Sequence, residues 1–572
     1  MSSNPQLSRM SQTLVFVTFE SAFAPLGGLA AVMKILPRHM AKSHIGNCLV
    51  VAPFFREIAK CQKNIFAQLG SVGKESEVVF DGKSEILEVY QYVAEDGVQT
   101  FLIDSPHFFN APCDCGDPPK HTSPCNPYLN PGQPEQLLQD ALFFCKAVPE
   151  ALVMLGYRSH LVFFLQDWET ASLALTVKEQ TKLESPICLL TLHNPYDKPL
   201  DQQALSKISK KKLCGPTVLA KMIPLLDRPL STVSENFAKE LLTDPLHTRV
   251  YAPHLQRVLK KQGLVGVNNG VFGVLNVSPE PIRLAKQGDV APILQEKNVQ
   301  RHELIQVLDG YRPAEAWGTL EFENFVGPIF FFFGRDDPRQ KGYDVAAKAI
   351  EAIPRGLARY VFSPIPGDEG ISGLKFLQRL TERRPGEAKV FPFRMRKGYQ
   401  ELQRGSSYLV MCSLYEPFGG ATEGYVAGTP VVARATGGLV PQVCPYPSAC
   451  LSPSVRRMAE VYHSSFDAPS GFLFREPDLP LTQIISGWKN IVECDYGPDS
   501  DRVTSRVGTP LFDAMVEQAA QALTDAITLY STDQTGYARM IVNGIDLLDR
   551  FSWKSSVTGY QKILEASKKG NE

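Results

Sequence analysis

The chain has 572 residues, 44% of them hydrophobic and 21% charged, with 59 Lys and Arg against 60 Asp and Glu for a formal net charge of -1. That length predicts two large domains or several smaller ones, and the composition excludes a disordered or fibrous chain. The charge balance excludes the electrostatic footprint of a nucleic-acid or anionic-membrane binder. The 12 cysteines are irregularly spread, which argues against a secreted disulfide framework and for a reducing compartment. No stretch approaches the roughly 18 apolar residues of a membrane-spanning helix. The apolar run after the polar first dozen residues breaks at Glu20 and reads as a strand rather than a signal peptide. A soluble, cytoplasmic protein is expected.

Short β-rich apolar runs at 14–19, 48–53, 100–103, 161–165, 187–192 and 230–233 alternate with amphipathic stretches such as 28–43 and 135–155. This alternation predicts buried parallel strands in an α/β architecture. Residues 276–323 are polar, with helical material at 296–308 and no convincing strand. The pattern restarts at 328–333 and continues through 358–362, 388–392, 408–412 and 429–433. Two α/β domains joined within 276–325 follow, with no internal repeat.

Several strand ends carry residues suited to chemistry. Gly27 and Gly28 follow the first strand and open a helix, either as a plain turn or as a place where backbone N–H groups meet an anion. Asp167 ends the strand at 161–165, where open α/β sheets bind ligands and where a helix N-cap is equally common. His193 and Asn194 end the next strand, where the imidazole either donates to a sugar or phosphate or packs in a loop. Ser234 and the Asn268-Asn269-Gly270 turn have the same topology.

The second half is more specific. Arg335 and Lys341 lie in a loop between four phenylalanines and a helix at 343–353. Two fixed cations so spaced can neutralise the two phosphates of a nucleotide sugar, replacing a metal as electrophilic assistance. Glu416 and Glu423 then bracket the Gly419-Gly420 turn, and Thr436-Gly437-Gly438 follows. One carboxylate can face a sugar and the other a ribose diol, while backbone amides face phosphate.

These motifs, in this order, resemble the glycogen and starch synthases, retaining glucosyltransferases of the GT-B fold. The series runs through Gly27-Gly28-Leu29, Asp167-Trp168, His193-Asn194, Val233-Ser234, Asn269-Gly270, the Gly334 to Gly342 loop, Glu416-Pro417-Phe418-Gly419, Gly428-Thr429-Pro430, Gly437-Gly438-Leu439, Ser470-Gly471-Phe472 and Phe551-Ser552-Trp553. The resemblance implies two Rossmann-like domains facing a cleft, an acceptor-side domain at 13–290 and a nucleotide-sugar domain at 325–540, with a helical segment at 541–572 returning to the first. It implies glucose transfer from ADP-glucose or UDP-glucose to an α-1,4-glucan, with no metal and no cofactor beyond the donor. Arg335 and Lys341 match the diphosphate cations, Glu416 the carboxylate beside the glucosyl ring, and His193 the histidine on the sugar. Asp167 matches the acceptor-side aspartate and Glu423 the ribose-holding glutamate.

Three departures stand out. Pro25 occupies the place of the family lysine two residues before the glycine pair, Ala31 that of an aspartate, and Lys34 is a conceivable substitute cation. The two glutamates are seven positions apart where the family ordinarily has eight, so the deletion must lie in the turn if Glu423 is to keep its role. Val271-Phe272 follows Asn269-Gly270 where bacterial members often have Ile-Asp. Pro25 also motivates an alternative, a catalytically weak paralogue that binds glucan or nucleotide sugar as a regulatory or scaffold subunit. Separately, Cys113, Cys115, His121 and Cys125 read either as soft zinc ligands or, in their proline-rich setting, as a loop with free thiols.

Overall fold

The alternation of apolar and amphipathic segments folds into two mostly parallel sheets in a computed structural model describing residues 12–111, 126–128, 135–395, 397–494, 496 and 502–569. Cys113, Cys115, His121 and Cys125 lie outside the described residues. The first sheet comprises β1 (Thr13–Val17), β2 (Asn47–Pro53), β3 (Gly70–Phe80), β4 (Lys83–Val93), β5 (Gln99–Asp104), β6 (Leu161–Gln166), β7 (Ile187–Leu192), β8 (Leu230–Thr232) and β9 (Leu264–Gly266). Its order is β3-β4-β5-β2-β1-β6-β7-β8-β9. Central β1 runs parallel to both neighbours, with Phe16 opposite Val50 on one side and Phe164 on the other.

The second sheet comprises β10 (Trp317–Gly318), β11 (Ile329–Arg335), β12 (Arg359–Ile365), β13 (Ala388–Val390), β14 (Tyr408–Met411), β15 (Val431–Arg434) and β16 (Gly471–Phe474). Its order is β10-β13-β12-β11-β14-β15-β16. The phenylalanine run forms β11, and Phe330, Phe331 and Phe332 are at most 1% exposed because helices cover both faces. Burying one such ring contributes about 1.5–3 kcal/mol.

Four strands differ from the sequence reading. The antiparallel hairpin β3–β4 is absent from it because the hairpin sits at a sheet edge and β3 is mostly solvent-facing, which leaves polar residues on much of its length. β10 lies inside 276–323, where no strand is expected, and its two residues are too few to make a periodic signal. β16 was likewise not anticipated, being four residues long. Cys61 is disulfide-bonded, whereas Cys145, Cys188 and Cys412 are buried free thiols. No helix among the described residues is long and apolar enough to cross a membrane.

The last helix, Trp553–Lys569, packs on the first sheet. Trp553, Val557, Tyr560 and Ile563 share a buried cluster with Leu14, Phe16, Met33 and Phe164. Trp553 Nε1 donates to the Val271 carbonyl at 2.9 Å and the Ser556 hydroxyl to the Asn268 carbonyl at 2.7 Å. A Cβ on Gly270 would come within 2.3 Å of the Trp553 ring, so only glycine admits this approach. Two motifs from opposite ends of the chain thus meet as one contact.

The two lobes also meet directly. The Ser234 hydroxyl donates to the Pro417 carbonyl, and Asn236 Nδ2 donates to the Gly437 carbonyl at 3.0 Å. Arg475 Nη2 lies 2.5 Å from Asp244 of the first lobe. The cleft between the sheets is therefore bounded by polar contacts that cross from one lobe to the other.

Candidate active site

A cleft of about 1000 Å³ opens where β1, β6, β7, β11 and β14 present their carboxyl ends. Ligands of open α/β sheets bind in this place because strand ends deliver side chains and backbone groups to one crevice. Gly27, Gly28, Asp167, His193, Arg335, Lys341, Glu416, Gly419, Gly420 and Glu423 all line it.

The wall from the second lobe is basic at its centre. Arg335 ends β11, and the loop after it returns through Gly342, whose positive φ of 61° starts the helix Tyr343–Ala352. Lys341 Nζ lies 2.6 Å from Glu416 Oε2, and the Ser413 hydroxyl donates to the same oxygen at 2.9 Å. Arg335 pairs with the exposed Asp368. Burial opposes the Arg335 charge, but Asp368 and Asp337 outweigh it and raise its pKa. Two cations, each paired with a carboxylate, therefore face the cleft.

Glu423 lies in the first turn of the helix Ala421–Val426, and its seven-residue step from Glu416 still brings both carboxylates to the cleft. Gly419, with φ of 89°, turns the chain between them. Burial pushes Glu423 up to about 7; Lys341 opposes this and Glu416 adds to it.

The wall from the first lobe is acidic. Asp167 adopts a left-handed φ of 59°, a strained conformation that aspartate tolerates better than most residues. Its carboxylate does not cap its own helix. It accepts the His193 backbone N–H at 2.6 Å and Asn194 Nδ2 at 3.0 Å, tying the ends of β6 and β7 together. His193 Nε2 lies 2.7 Å from Gln166 Oε1, whose amide nitrogen in turn donates to the Phe164 carbonyl. Burial lowers the imidazole to about 3, so the ring is neutral. Nε2–H is thus committed to Gln166, and the ring offers Nδ1 as an acceptor rather than serving as the donor anticipated from the sequence.

Two groups of candidate residues behave differently from the sequence reading. Gly27 and Gly28 do border the cleft, but the Glu20 carboxylate accepts the Gly27 N–H at 2.8 Å and the Leu26 N–H at 3.2 Å. Tyr128 donates to its other oxygen at 2.9 Å. An internal carboxylate, not a free set of amides, fills this turn. Pro25 and Lys34 are exposed, and Lys34 does not line the cleft.

Thr436, Gly437 and Gly438 are buried and do not line the cleft. Glu240 of the first lobe accepts the Gly437 N–H at 2.8 Å and the Thr436 hydroxyl at 3.1 Å. Gly438 donates its N–H to the Glu416 carbonyl at 3.0 Å. A Cβ on Gly437, where φ is +47°, would stand 1.8 Å from that carbonyl oxygen. This segment supports the Glu416 loop from behind and joins it to the other lobe.

Glu20, Glu169, Tyr128 and Tyr196 line the cleft without having been singled out as site residues. The break that Glu20 makes at the end of the first apolar run was the available signal. Tyr196 crosses from the first lobe, donating to Asp337 at 2.9 Å, and receives the Tyr415 hydroxyl at 2.8 Å.

Burial pushes Asp167 up to about 8, and Glu20 also adds to that rise. Burial and the Asp167 charge raise Glu169, and burial raises Glu20 itself. Such carboxyls hold protons more tightly folded than unfolded, so stability falls as pH rises from the ordinary carboxylate range of about 4 to about 8. The melting temperature is expected to fall across this window, and Asp167→Asn to make the fall shallower. An unchanged slope in thermal scans of the variant would contradict this assignment.

Residues 13–261 match the family model described as the starch synthase catalytic domain. The chain is 25% identical over 454 residues to a glycogen synthase of Thermotoga maritima, covering 76% of this chain and 85% of that protein. It is 23% identical over 445 residues to a glycogen synthase of Fervidobacterium nodosum, covering 74% and 83%. Among solved structures, the catalytic domain of starch synthase IV from Arabidopsis thaliana bound to ADP and acarbose superposes with a TM-score of 0.66 at 17% identity, covering 97% of this chain and 99% of that one. The paired sheets therefore have the GT-B architecture. By these matches the chain is similar to the glycogen and starch synthases, and they mark it as a glycosyltransferase.

Proposed function

We propose that the protein transfers glucose from ADP-glucose or UDP-glucose to the non-reducing end of an α-1,4-glucan, with retention at the anomeric carbon. The observation that carries this reading is the placement of Arg335 and Lys341 in the same cleft as Glu416, His193 and Asp167. The glycogen synthase relatives, aligned over most of their length, support a glucan acceptor.

In this reading the diphosphate displaces Asp368 from Arg335 and lies beside Lys341, with the Gly419-Gly420 turn nearby. The bond between the anomeric carbon and the phosphate oxygen breaks, and its electron pair stays on the phosphate. Fixed cations in a site partly closed to water stabilise that charge without reorganising at the moment of reaction. The acceptor hydroxyl attacks the anomeric carbon from the face the phosphate leaves, and its proton passes to the departing phosphate oxygen. Glu416 sits beside the ring, where positive charge develops, and His193 Nδ1 accepts from a glucose hydroxyl. Asp167 and its acidic neighbours face the acceptor, while Glu423 holds the ribose. No metal or other cofactor enters this reading.

Purified protein incubated with maltooligosaccharide and labelled ADP-glucose or UDP-glucose should lengthen the oligosaccharide with at least one donor. The new linkages should be cleaved by an α-1,4-specific amylase. Glucan binding without extension from either donor would refute the proposal and leave a binding role.

A further inference from the structure

Arg335 and Lys341 can act together only if the six-residue step between them keeps one shape. That loop carries little regular structure of its own: Gln340 and Lys341 donate their N–H groups back to the Asp337 carbonyl at 2.9 Å, and Asp336 donates to the Ile365 carbonyl at 2.7 Å. Leu414 N–H and the Tyr251 hydroxyl donate to its Gln340 and Arg339 carbonyls, and Tyr196 to Asp337, while two buried guanidiniums reach it from far along the chain, on the short helix Arg502–Arg506.

Arg502 is 4% exposed and Arg506 is fully buried. Arg502 forks onto Asp336, with Nη1 to Oδ1 at 3.0 Å and Nη2 to Oδ2 at 2.5 Å, and Nη2 also donates to the Gly373 carbonyl at 2.7 Å. Its guanidinium lies 4.6 Å from the centre of the Phe376 ring. Arg506 donates to the Pro338 carbonyl at 2.7 Å, and pairs with Asp344 in the first turn of the helix that follows Lys341. Asp336 and Asp344 are themselves 1% and 0% exposed. The two guanidiniums thus grip the loop just after Arg335, at its middle, and just after Lys341. Neither lines the cleft.

Resting on the reading of Arg335 and Lys341 as diphosphate cations, we infer that Arg502 and Arg506 are positioning residues for donor binding. They set the separation and aim of the two cations without touching the donor. A planar fork bonded to two acceptors fixes direction as well as distance, which an ammonium on a flexible stem does not. Both guanidiniums bond to the stretch that carries the two cations, so their influence should fall on the donor and spare the acceptor.

Arg502→Lys and Arg506→Lys keep the charge and lose the fork. ADP and UDP affinity, donor KM and oligosaccharide KM are then measured on the full chain, with thermal unfolding recorded alongside. A loop displaced by about 1 Å can cost on the order of 100-fold in a positioned reaction. The expected result is nucleotide affinity and donor KM worse by about tenfold or more, with oligosaccharide KM unchanged. Native nucleotide affinity in folded variants overturns the inference, as does a parallel loss for donor and acceptor.

If the lysine variants fail to fold, the neutral pair Asp336→Asn with Arg502→Gln provides the reading. Weakened nucleotide binding with native oligosaccharide KM supports the inference, and native nucleotide binding overturns it. A wild-type protein that binds neither ADP nor UDP overturns both this inference and the proposed function, whereas variants that bind like an active wild type overturn this inference alone.

Discussion

Lys341→Ala is expected to lower the rate of glucose transfer by about 10²–10³-fold, a loss of about 3–4 kcal/mol of transition-state stabilisation. The ammonium lies 2.6 Å from Glu416, so it stands between the proposed sugar site and the proposed phosphate site. Removing it takes away a preorganised positive charge and leaves Glu416 with the Ser413 hydroxyl as its remaining partner. Both changes disfavour a departing anion next to a partly buried carboxylate. Because Lys341 is paired near the cleft rather than locked in a core, the variant should fold. Initial rates of labelled glucose incorporation at saturating donor measure the effect. A folded variant within about threefold of native would show that the ammonium does not stabilise the leaving group, whose fixed-donor contribution is far larger.

The largest stability effect is expected at the boundary between the lobes. Arg475 Nη2 lies 2.5 Å from Asp244, Nη1 lies 3.7 Å from Glu240, and Nε lies 3.7 Å from Glu476. Glu476 has a second guanidinium in Arg434, but among the described residues Asp244 and Glu240 do not. Arg475→Met keeps much of the volume and leaves two buried carboxylates without their cation. Breaking a buried pair from one side costs about 3–5 kcal/mol, measured here as a shift in the denaturant midpoint.

The pH dependence distinguishes this loss of charge pairing from simple repacking. Burial works to raise Asp244, but Arg475 overcomes it and holds the carboxyl below its ordinary range. Asp244 therefore contributes stability above the ordinary carboxylate range and loses it as pH falls through its depressed folded value. Burial raises Glu240 to about 7 even with Arg475 present. The deficit of Arg475→Met should accordingly be larger at neutral pH than near pH 4, where carboxyls left without the cation take up protons. Equal deficits at both values would assign the loss to packing.

Much of this site could be read in the chain because apolar runs mark strands and the residue after each run marks a strand end. That logic placed Asp167, His193 and Arg335 at the rim of the sheets. It failed at Glu20, where the acid that ends the first run was read only as an interruption. It also failed at Thr436-Gly437-Gly438. A glycine-rich turn announces available amides but not what they meet, and here Glu240, remote in sequence, accepts one of them. The same limitation applies to Gly27, whose N–H meets Glu20. Local pattern specifies a turn; only tertiary packing specifies its occupant.

The β3–β4 hairpin was hidden for another reason. Its alternation is weak because much of β3 faces water, so burial imposes little periodicity on its sequence. Arg502 and Arg506 were hidden by distance: nothing near them in sequence resembles the loop they hold, and their pairing with Asp336 and Asp344 exists only after the second lobe has folded.

The most direct measurement is a structure of the protein with the nucleoside diphosphate it binds. The account predicts phosphate oxygens within about 3 Å of both the Arg335 guanidinium and the Lys341 ammonium, at ordinary charge-assisted hydrogen-bond distance. A nucleotide bound with its phosphates against the Gly27 turn, with Arg335 still on Asp368 and Lys341 still on Glu416, would contradict it.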